Sequence, residues 1–321
     1  MPRFDFHGLA IETSSSLPTD PAAGLLAPLP PAPAGPTALT IRLAPGTQAE
    51  LEQRLPGPDA FAYGTNRLRI AGQVVELTCP GARFTITGPL LDGLVAPETL
   101  QQEGGDDLVG QGPLLVALAV ALRSLGCYHL HAAALVLPGS GTVLIPATSG
   151  SGKSTLATAL VLGGADFLGD DTLFVRLDGD RLEFLGLARD FHLTDRAAAA
   201  LGLSGPTTSR TTQAGKGRLD ARTHFPGRYL AEAPAAAFIL LPHITGLPTT
   251  RLEPAGPAEA LGALLESSVL VATRGLPGGE GHLPVLARLA DGAASFRVEL
   301  GLDLLSDPAG TASRILSGLT T

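Results

Sequence analysis

Residues 131–175 constrain the fold more than any other part of this chain: HAAALVLPGSGTVLIPATSGSGKSTLATALVLGGADFLGDDTLFV. Residues 142–145 are an apolar run that reads as a strand, and residues 152–162 are Ala- and Leu-rich and read as a helix. Between them the chain fits the phosphate-cradle pattern G-x-x-x-x-G-K-[ST], except that Ala147 stands at its first position. Gly150 and Gly152 can take backbone angles closed to other residues, so consecutive N–H groups can turn inward toward a polyphosphate. The helix that follows sets the positive end of its dipole beneath that anion. On this reading Ser149, Gly150, Ser151, Gly152, Lys153, Ser154 and Thr155 bind a nucleotide, with ATP the expected one. Lys153 reaches the β and γ phosphates, Ser154 offers its hydroxyl to Mg²⁺, and Thr155 supports the helix start. The plainer alternative is a Gly/Ser turn that happens to contain a lysine, in a chain with 40 glycines. The strand before the loop and the helix after it favour the cradle.

A phosphate loop says only that a nucleotide binds; chemistry needs a carboxylate for the metal and often a base. Gly163 and Gly164 end the helix, residues 165–168 read as a short apolar strand, and Gly169-Asp170-Asp171 closes it. Strand ends beside a phosphate loop are where an α/β sheet opens its ligand crevice. Two adjacent acids there point in different directions, so one can serve Mg²⁺ while the other faces an acceptor hydroxyl. Taken alone, the pair could equally be a polar turn opening the strand expected at residues 172–177.

These residues resemble the catalytic domain of the HPr serine kinase/phosphorylase family. That family has a His-containing strand, a hairpin, a GxSGxGKS-type loop, a helix and an Asp-Asp pair. His131, the turn at residues 138–141, the loop at residues 149–154 and Asp170-Asp171 match it in order. The resemblance implies that Lys153 binds phosphates, that Ser154 and Asp171 serve the metal, and that Asp170 is the base, with His131 beside it. On chemical grounds alone, a single histidine at the start of an apolar strand is more often structural than catalytic. A lysine- and arginine-bearing stretch, residues 204–228, is the expected form of a lid over phosphates, or else a solvated loop. In it Lys216 and Arg218 are candidate phosphate or substrate contacts. The family's E-x-R-G-x-G signature is replaced there by Gly215-Lys216-Gly217-Arg218, so neither HPr as substrate nor reverse phosphorolysis is implied. The family assembles into hexamers, which makes a homo-oligomer an open expectation.

The chain has 321 residues, 45% of them hydrophobic, enough for a large core and two domains. Its net charge of −8 argues against a nucleic-acid partner, since no basic surface is available to neutralise a phosphate backbone. Cys79 and Cys127 are too few and too separated for a zinc site or a disulfide framework. No charged and apolar leader opens the sequence, and the longest apolar run, residues 114–122, is too short for a bilayer, so a soluble cytoplasmic protein is expected.

Residues 1–105 read as an N-terminal β-rich domain, with strands expected at 4–12, 39–43, 68–70, 74–78 and 84–87. Its opening, with Gly8-Leu9-Ala10-Ile11 and Leu17-Pro18, resembles HPr-kinase-related proteins that act as tailoring kinases in lasso-peptide biosynthesis. The Pro/Ala-rich residues 25–36 read as an exposed, extended connection. Residues 106–321 read as the P-loop kinase domain, opened by a buried helix at 108–125. Its later strands are expected at 172–177, 181–185, 235–241 and 296–300, and its later helices at 195–201, 257–270 and 309–319.

The expected fold is therefore α/β: a P-loop, HPr-kinase-like catalytic core with an N-terminal β-rich domain. The expected reaction moves the ATP γ-phosphoryl group to a hydroxyl, that of a serine in a peptide or protein acceptor. A kinase acting on a small hydroxyl compound and a nucleotide-binding regulatory NTPase remain the alternatives.

Overall fold

A computed structural model describes residues 1–63, 65–101, 112–146, 148, 150–187, 191–203, 217–219, 221–234 and 236–319. Ala147, Ser149, Lys216 and most of the expected lid, residues 204–216, lie outside the described residues. The chain is a mixed α/β protein of two compact units, Met1–Tyr128 with Leu270–His282, and His129–Val269 with Leu283–Thr321. Among the described residues no helix is long and apolar enough to cross a membrane.

The first unit carries β1 (Arg3–Phe6), β2 (Leu9–Ser15), α1 (Pro21–Leu26), β3 (Leu39–Pro45), α2 (Gln48–Glu52), β4 (Phe61–Tyr63), β5 (Asn66–Ala71), β6 (Val74–Cys79), β7 (Ala82–Thr87), β8 (Leu90–Val95), α3 (Pro97–Gln101) and α4 (Pro113–Arg123). Its eight strands form one sheet in the order β1-β2-β3-β8-β7-β6-β5-β4. The single strand expected at residues 4–12 is two strands. His7 and Gly8 both have positive φ, at 53° and 86°, and make the two-residue turn that pairs Phe6 with Leu9. The exposed connection expected at residues 25–36 is also corrected at its start. Asp20 accepts a 3.0 Å hydrogen bond from the Ala23 amide and Pro21 opens α1, so Leu25, Leu26 and Leu29 turn inward and are buried.

Helix α4, expected to open the nucleotide domain, belongs with this first unit. Its apolar face includes Leu114, Ala117, Leu118 and Ala121, all fully buried, and it packs on β6, β7 and β8. Arg123 at its end donates to the Leu270 carbonyl at 2.9 Å and to His282 Nδ1 at 2.7 Å. Those two bonds hold the later segment Leu270–His282 against the unit.

The chain passes into the second unit within β9 (Cys127–Leu130). There follow β10 (Ala132–Leu137), β11 (Gly141–Pro146), α5 (Lys153–Leu162), β12 (Asp166–Gly169), β13 (Leu173–Asp178), β14 (Arg181–Gly186), β15 (Phe191–Leu193), α6 (Asp195–Ala200), β16 (Gly217–Leu219), α7 (Ala221–His224), β17 (Glu232–Pro234), β18 (Ala236–Ile244), β19 (Arg251–Ala255), α8 (Pro257–Glu266), α9 (His282–Gly292), β20 (Ala294–Leu300), α10 (Asp303–Ser306) and α11 (Pro308–Leu319). Six strands form the central sheet in the order β12-β10-β11-β18-β20-β19. The middle three, β11, β18 and β20, run parallel, while β10 is antiparallel to both β11 and β12.

A strand stopping before Pro242 is expected from sequence, yet β18 runs through it to Ile244. Pairing with β11 reaches only Ile239, whereas pairing with β20 extends to Ile244. Beyond Ile239 one side of β18 has no ladder for a missing N–H to break. Helix α5 covers the sheet through Leu156 and Leu160, which pack with Ile145, Leu240, Val298 and Ile315 in one buried cluster.

Because of these strand directions, one edge of the sheet collects the ends of β11, β12, β18 and β20 and the start of β10. The phosphate-type loop, the Asp pair and His131 all leave the sheet along that edge.

Candidate functional site

The loop between β11 and α5 is shaped by its glycines. Gly150 has φ 89°, and Gly152, the N-cap of α5, has φ 95° and ψ 5°. A Cβ on Gly152 would lie 2.4 Å from Leu300 Cδ1, so a side chain is excluded by space as well as by backbone angle. Gly152 has no side chain with which to cap α5, and among the described residues the first N–H groups of the helix are left to an outside acceptor. Lys153 and Ser154 begin the helix and are 5% and 7% exposed.

At the end of β12 the chain turns sharply. Asp171 has φ 61°, unusual for a residue with a side chain, and the Thr172 amide donates to the Asp170 carbonyl at 2.8 Å. The turn sends both carboxylates to one lysine. Lys153 Nζ donates to Asp170 Oδ1 at 2.8 Å and also to Asp171 Oδ1. Asp170 is fully buried, and among the described residues its second oxygen, Oδ2, has no hydrogen-bond partner.

His131 completes the cluster from the start of β10. Its amide donates to the Ser267 carbonyl at 2.8 Å, which holds the backbone in place. Its ring Nδ1 lies 3.2 Å from the Asp171 carbonyl oxygen, an atom that can only accept, so Nδ1 carries the proton. Nε2 stands 3.7 Å from Asp171 Oδ1. Burial, then the neighbouring Lys153 charge, holds the imidazole below its ordinary range against the opposing pull of both carboxylates, so it is neutral at pH 7. Burial also works against the Lys153 ammonium, but Asp170 and Asp171 outweigh it and keep the lysine above its ordinary range.

These groups border a pocket of about 390 Å³. His131 and Asp171 line it, as do Gly150, Gly152, Lys153, Ser154 and Thr155 of the loop and helix start. Asp170 lies out of the wall, behind the lysine it binds. The structure therefore brings together His131, Gly150, Gly152, Lys153, Ser154, Thr155 and Asp171. Ser151 turns its hydroxyl back to the Thr148 carbonyl at 2.9 Å. Ser149 and Lys216 lie outside the described residues, and of Arg218 only the backbone is described, in β16, paired with His192.

The pocket also contains residues that sequence reasoning missed. Arg196 lines it from α6, Ile244 and Leu300 line it from the ends of β18 and β20, and Leu302 lines it from the turn just after β20. The helix at Asp195 is legible from its cap, because Thr194 accepts the Ala197 amide at 3.2 Å, but no local signal says that this helix start meets the phosphate loop.

Among the described residues no group of three or more His, Cys, Asp or Glu side chains could cage a metal. A magnesium ion held with a nucleotide needs only one or two protein oxygens beside the phosphates and water. Ser154 and Asp171, which face one pocket, are a donor set of that kind.

No protein-family model matches this chain, and none of the curated proteins matches it. Among solved structures it is similar to the HPr(Ser) kinase/phosphatase from Coxiella burnetii, with 12% identity and a TM-score of 0.29 over 59% of this chain and 89% of that one.

Proposed function

We propose that this protein is an ATP- and Mg²⁺-dependent kinase that transfers the γ-phosphoryl group to a hydroxyl, that of a serine in a peptide or protein. One observation carries the reading: the loop lysine, Lys153, is paired with two carboxylates from the end of another strand, beside a histidine and in the wall of one pocket. A structural turn needs none of these partners.

In this reading Lys153 leaves the carboxylates for the β and γ phosphates, and the N–H groups at the start of α5 bind the same anion. That shift frees Asp171 for the metal side and uncovers Asp170, whose Oδ2, unpartnered among the described residues, takes the proton of the acceptor hydroxyl. The hydroxyl oxygen bonds to the γ-phosphorus as the bond to the bridging oxygen breaks, and ADP leaves. His131 holds the Asp171 backbone in its turn through the Nδ1–H bond. Ser154 and Asp171 would hold Mg²⁺, which would supply neutralisation of the charge on the phosphates.

The test is transfer of labelled γ-phosphate from ATP/Mg²⁺ to a pool of serine peptides and to a panel of small hydroxyl compounds. Wild type should label the peptides, and Asp170→Asn should lose transfer by at least about 100-fold while still binding nucleotide. Label on the small compounds alone would make it a small-molecule kinase. Slow ATP hydrolysis with label on neither set would make it a regulatory NTPase.

A further inference from the structure

The pocket changes character along its length. One end holds His131 and Asp171; the other holds Ile244, Leu300 and Leu302. Ile244 and Leu300 are register partners at the ends of adjacent parallel strands. They lie against the phosphate loop itself, since a Cβ on Gly152 would be 2.4 Å from Leu300 Cδ1 and 3.4 Å from Ile244 Cγ1. Ile244 and Leu302 are 56% and 55% exposed, so large apolar side chains face water beside a cradle built for charge.

A polyphosphate has no apolar surface to cover them, whereas the flat purine attached to it does. We propose that this apolar end, Ile244, Leu300 and Leu302 with Arg196, is a purine-base subsite that stacks on the ring without reading its edge, so that ATP and GTP bind about equally. The inference rests on the nucleotide reading above and adds its base specificity. It also orients the nucleotide, with the base at the apolar end and the terminal phosphate toward Asp171.

Discrimination between adenine and guanine requires donors and acceptors aimed at the positions where the two rings differ. Four backbone donors of this wall are already used. The Thr245 amide donates to the Leu300 carbonyl at 3.1 Å, Gly301 to Thr250 Oγ1 at 3.0 Å, Leu302 to the Leu247 carbonyl at 2.7 Å, and Leu305 to the Leu302 carbonyl at 3.1 Å. The Thr194 hydroxyl oxygen accepts the Ala197 amide as the cap of α6. Arg196 makes no ion pair among the described residues, and its planar guanidinium can stack on a ring face.

The experiment is isothermal titration of the full chain in Mg²⁺ with ATP, GTP and inorganic tripolyphosphate, for wild type and for Leu302→Ser and Ile244→Ser. Both positions are more than half exposed, so both variants should fold. ATP and GTP should bind within about threefold of each other and about tenfold or more tighter than tripolyphosphate. Each substitution should weaken both nucleotides by about fivefold and leave tripolyphosphate unchanged. A preference above about tenfold for either nucleotide, ATP binding no tighter than tripolyphosphate, or variants that bind ATP like wild type would overturn the subsite. If tripolyphosphate binds while the base adds nothing, only the subsite fails. If none of the three ligands binds, the phosphate-loop reading fails with it.

Discussion

Lys153 Nζ sits 2.8 Å from Asp170 Oδ1, and the two side chains are 5% and 0% exposed. A second carboxylate, Asp171, shares the same ammonium. The buried cation and its two anions hold one another in position, and removing the cation strands Asp170, the carboxylate that has no access to water.

Lys153→Met should therefore destabilise the second unit by about 3–5 kcal/mol, as breaking one side of a buried pair does. Replacing both partners, Lys153→Met with Asp170→Asn, should recover much of that loss, because no fully buried charge remains and Asp171, 28% exposed, keeps its contact with water. Urea denaturation of wild type, both single variants and the double variant measures the coupling. Additive losses would mean that the pair is not coupled in solution.

The loop glycines should differ in their tolerance of a methyl group. Gly150 needs only its positive φ, with nothing among the described residues within 4 Å of an added Cβ, so Gly150→Ala should cost about 1–2 kcal/mol. Gly152 has the same angle requirement and Leu300 Cδ1 in the way, so Gly152→Ala should cost about 1–3 kcal/mol more. Thermal or urea unfolding of the two variants checks the order, and equal losses would remove the steric part of the argument.

Stability should fall on the acid side through His131. Its folded-state pKa is depressed below the ordinary imidazole value of about 6.5, so the unfolded chain takes up the proton first. Protonation therefore favours unfolding. This contribution is fully present above about pH 6.5, and it is lost as pH falls through the unfolded and then the lower folded value. The side chain is 39% exposed, which makes the slope shallow. His131→Gln should flatten the stability curve between about pH 5 and 6.5, above the range where ordinary carboxylates titrate. An unchanged slope in urea titrations across that range would assign the acid limb to other groups.

Cys79 should be a slow thiol despite its partial exposure. Burial raises its pKa to about 11, against a smaller opposing effect of the hydrogen bond to Ala82. At pH 8 about one molecule in a thousand then carries the thiolate, and Cys127 is fully buried. A disulfide reagent at pH 8 should label the native protein far more slowly than the protein in denaturant. Prompt reaction of one thiol in the native state would contradict the burial of Cys79.

The sequence by itself determined the local pieces. The apolar run, Gly150, Gly152 and the Ala/Leu stretch specify β11, the loop and α5, because backbone angles and helix formation depend on residues a few positions apart. Gly179 likewise marks the hairpin that pairs Asp178 with Arg181. The misread segments have a common cause. Residues 4–12 look like one strand because only the pairing partner shows where His7 and Gly8 must turn, and Pro242 looks like a strand end because its neighbour is invisible in a linear chain. Likewise, the apolar face of α4 says that the helix is buried but not which sheet buries it.

Tertiary structure alone decided how the site is assembled. Asp170 and Asp171 are chemically alike and adjacent, and only the turn at Asp171, with its φ of 61°, makes one of them buried behind Lys153 and the other part of the pocket wall. Arg196, Ile244 and Leu302 come from three later segments. Ile244 and Leu302 meet the loop because β11, β18 and β20 run parallel and end at the same edge of one sheet, a consequence of strand order that no short stretch of sequence encodes.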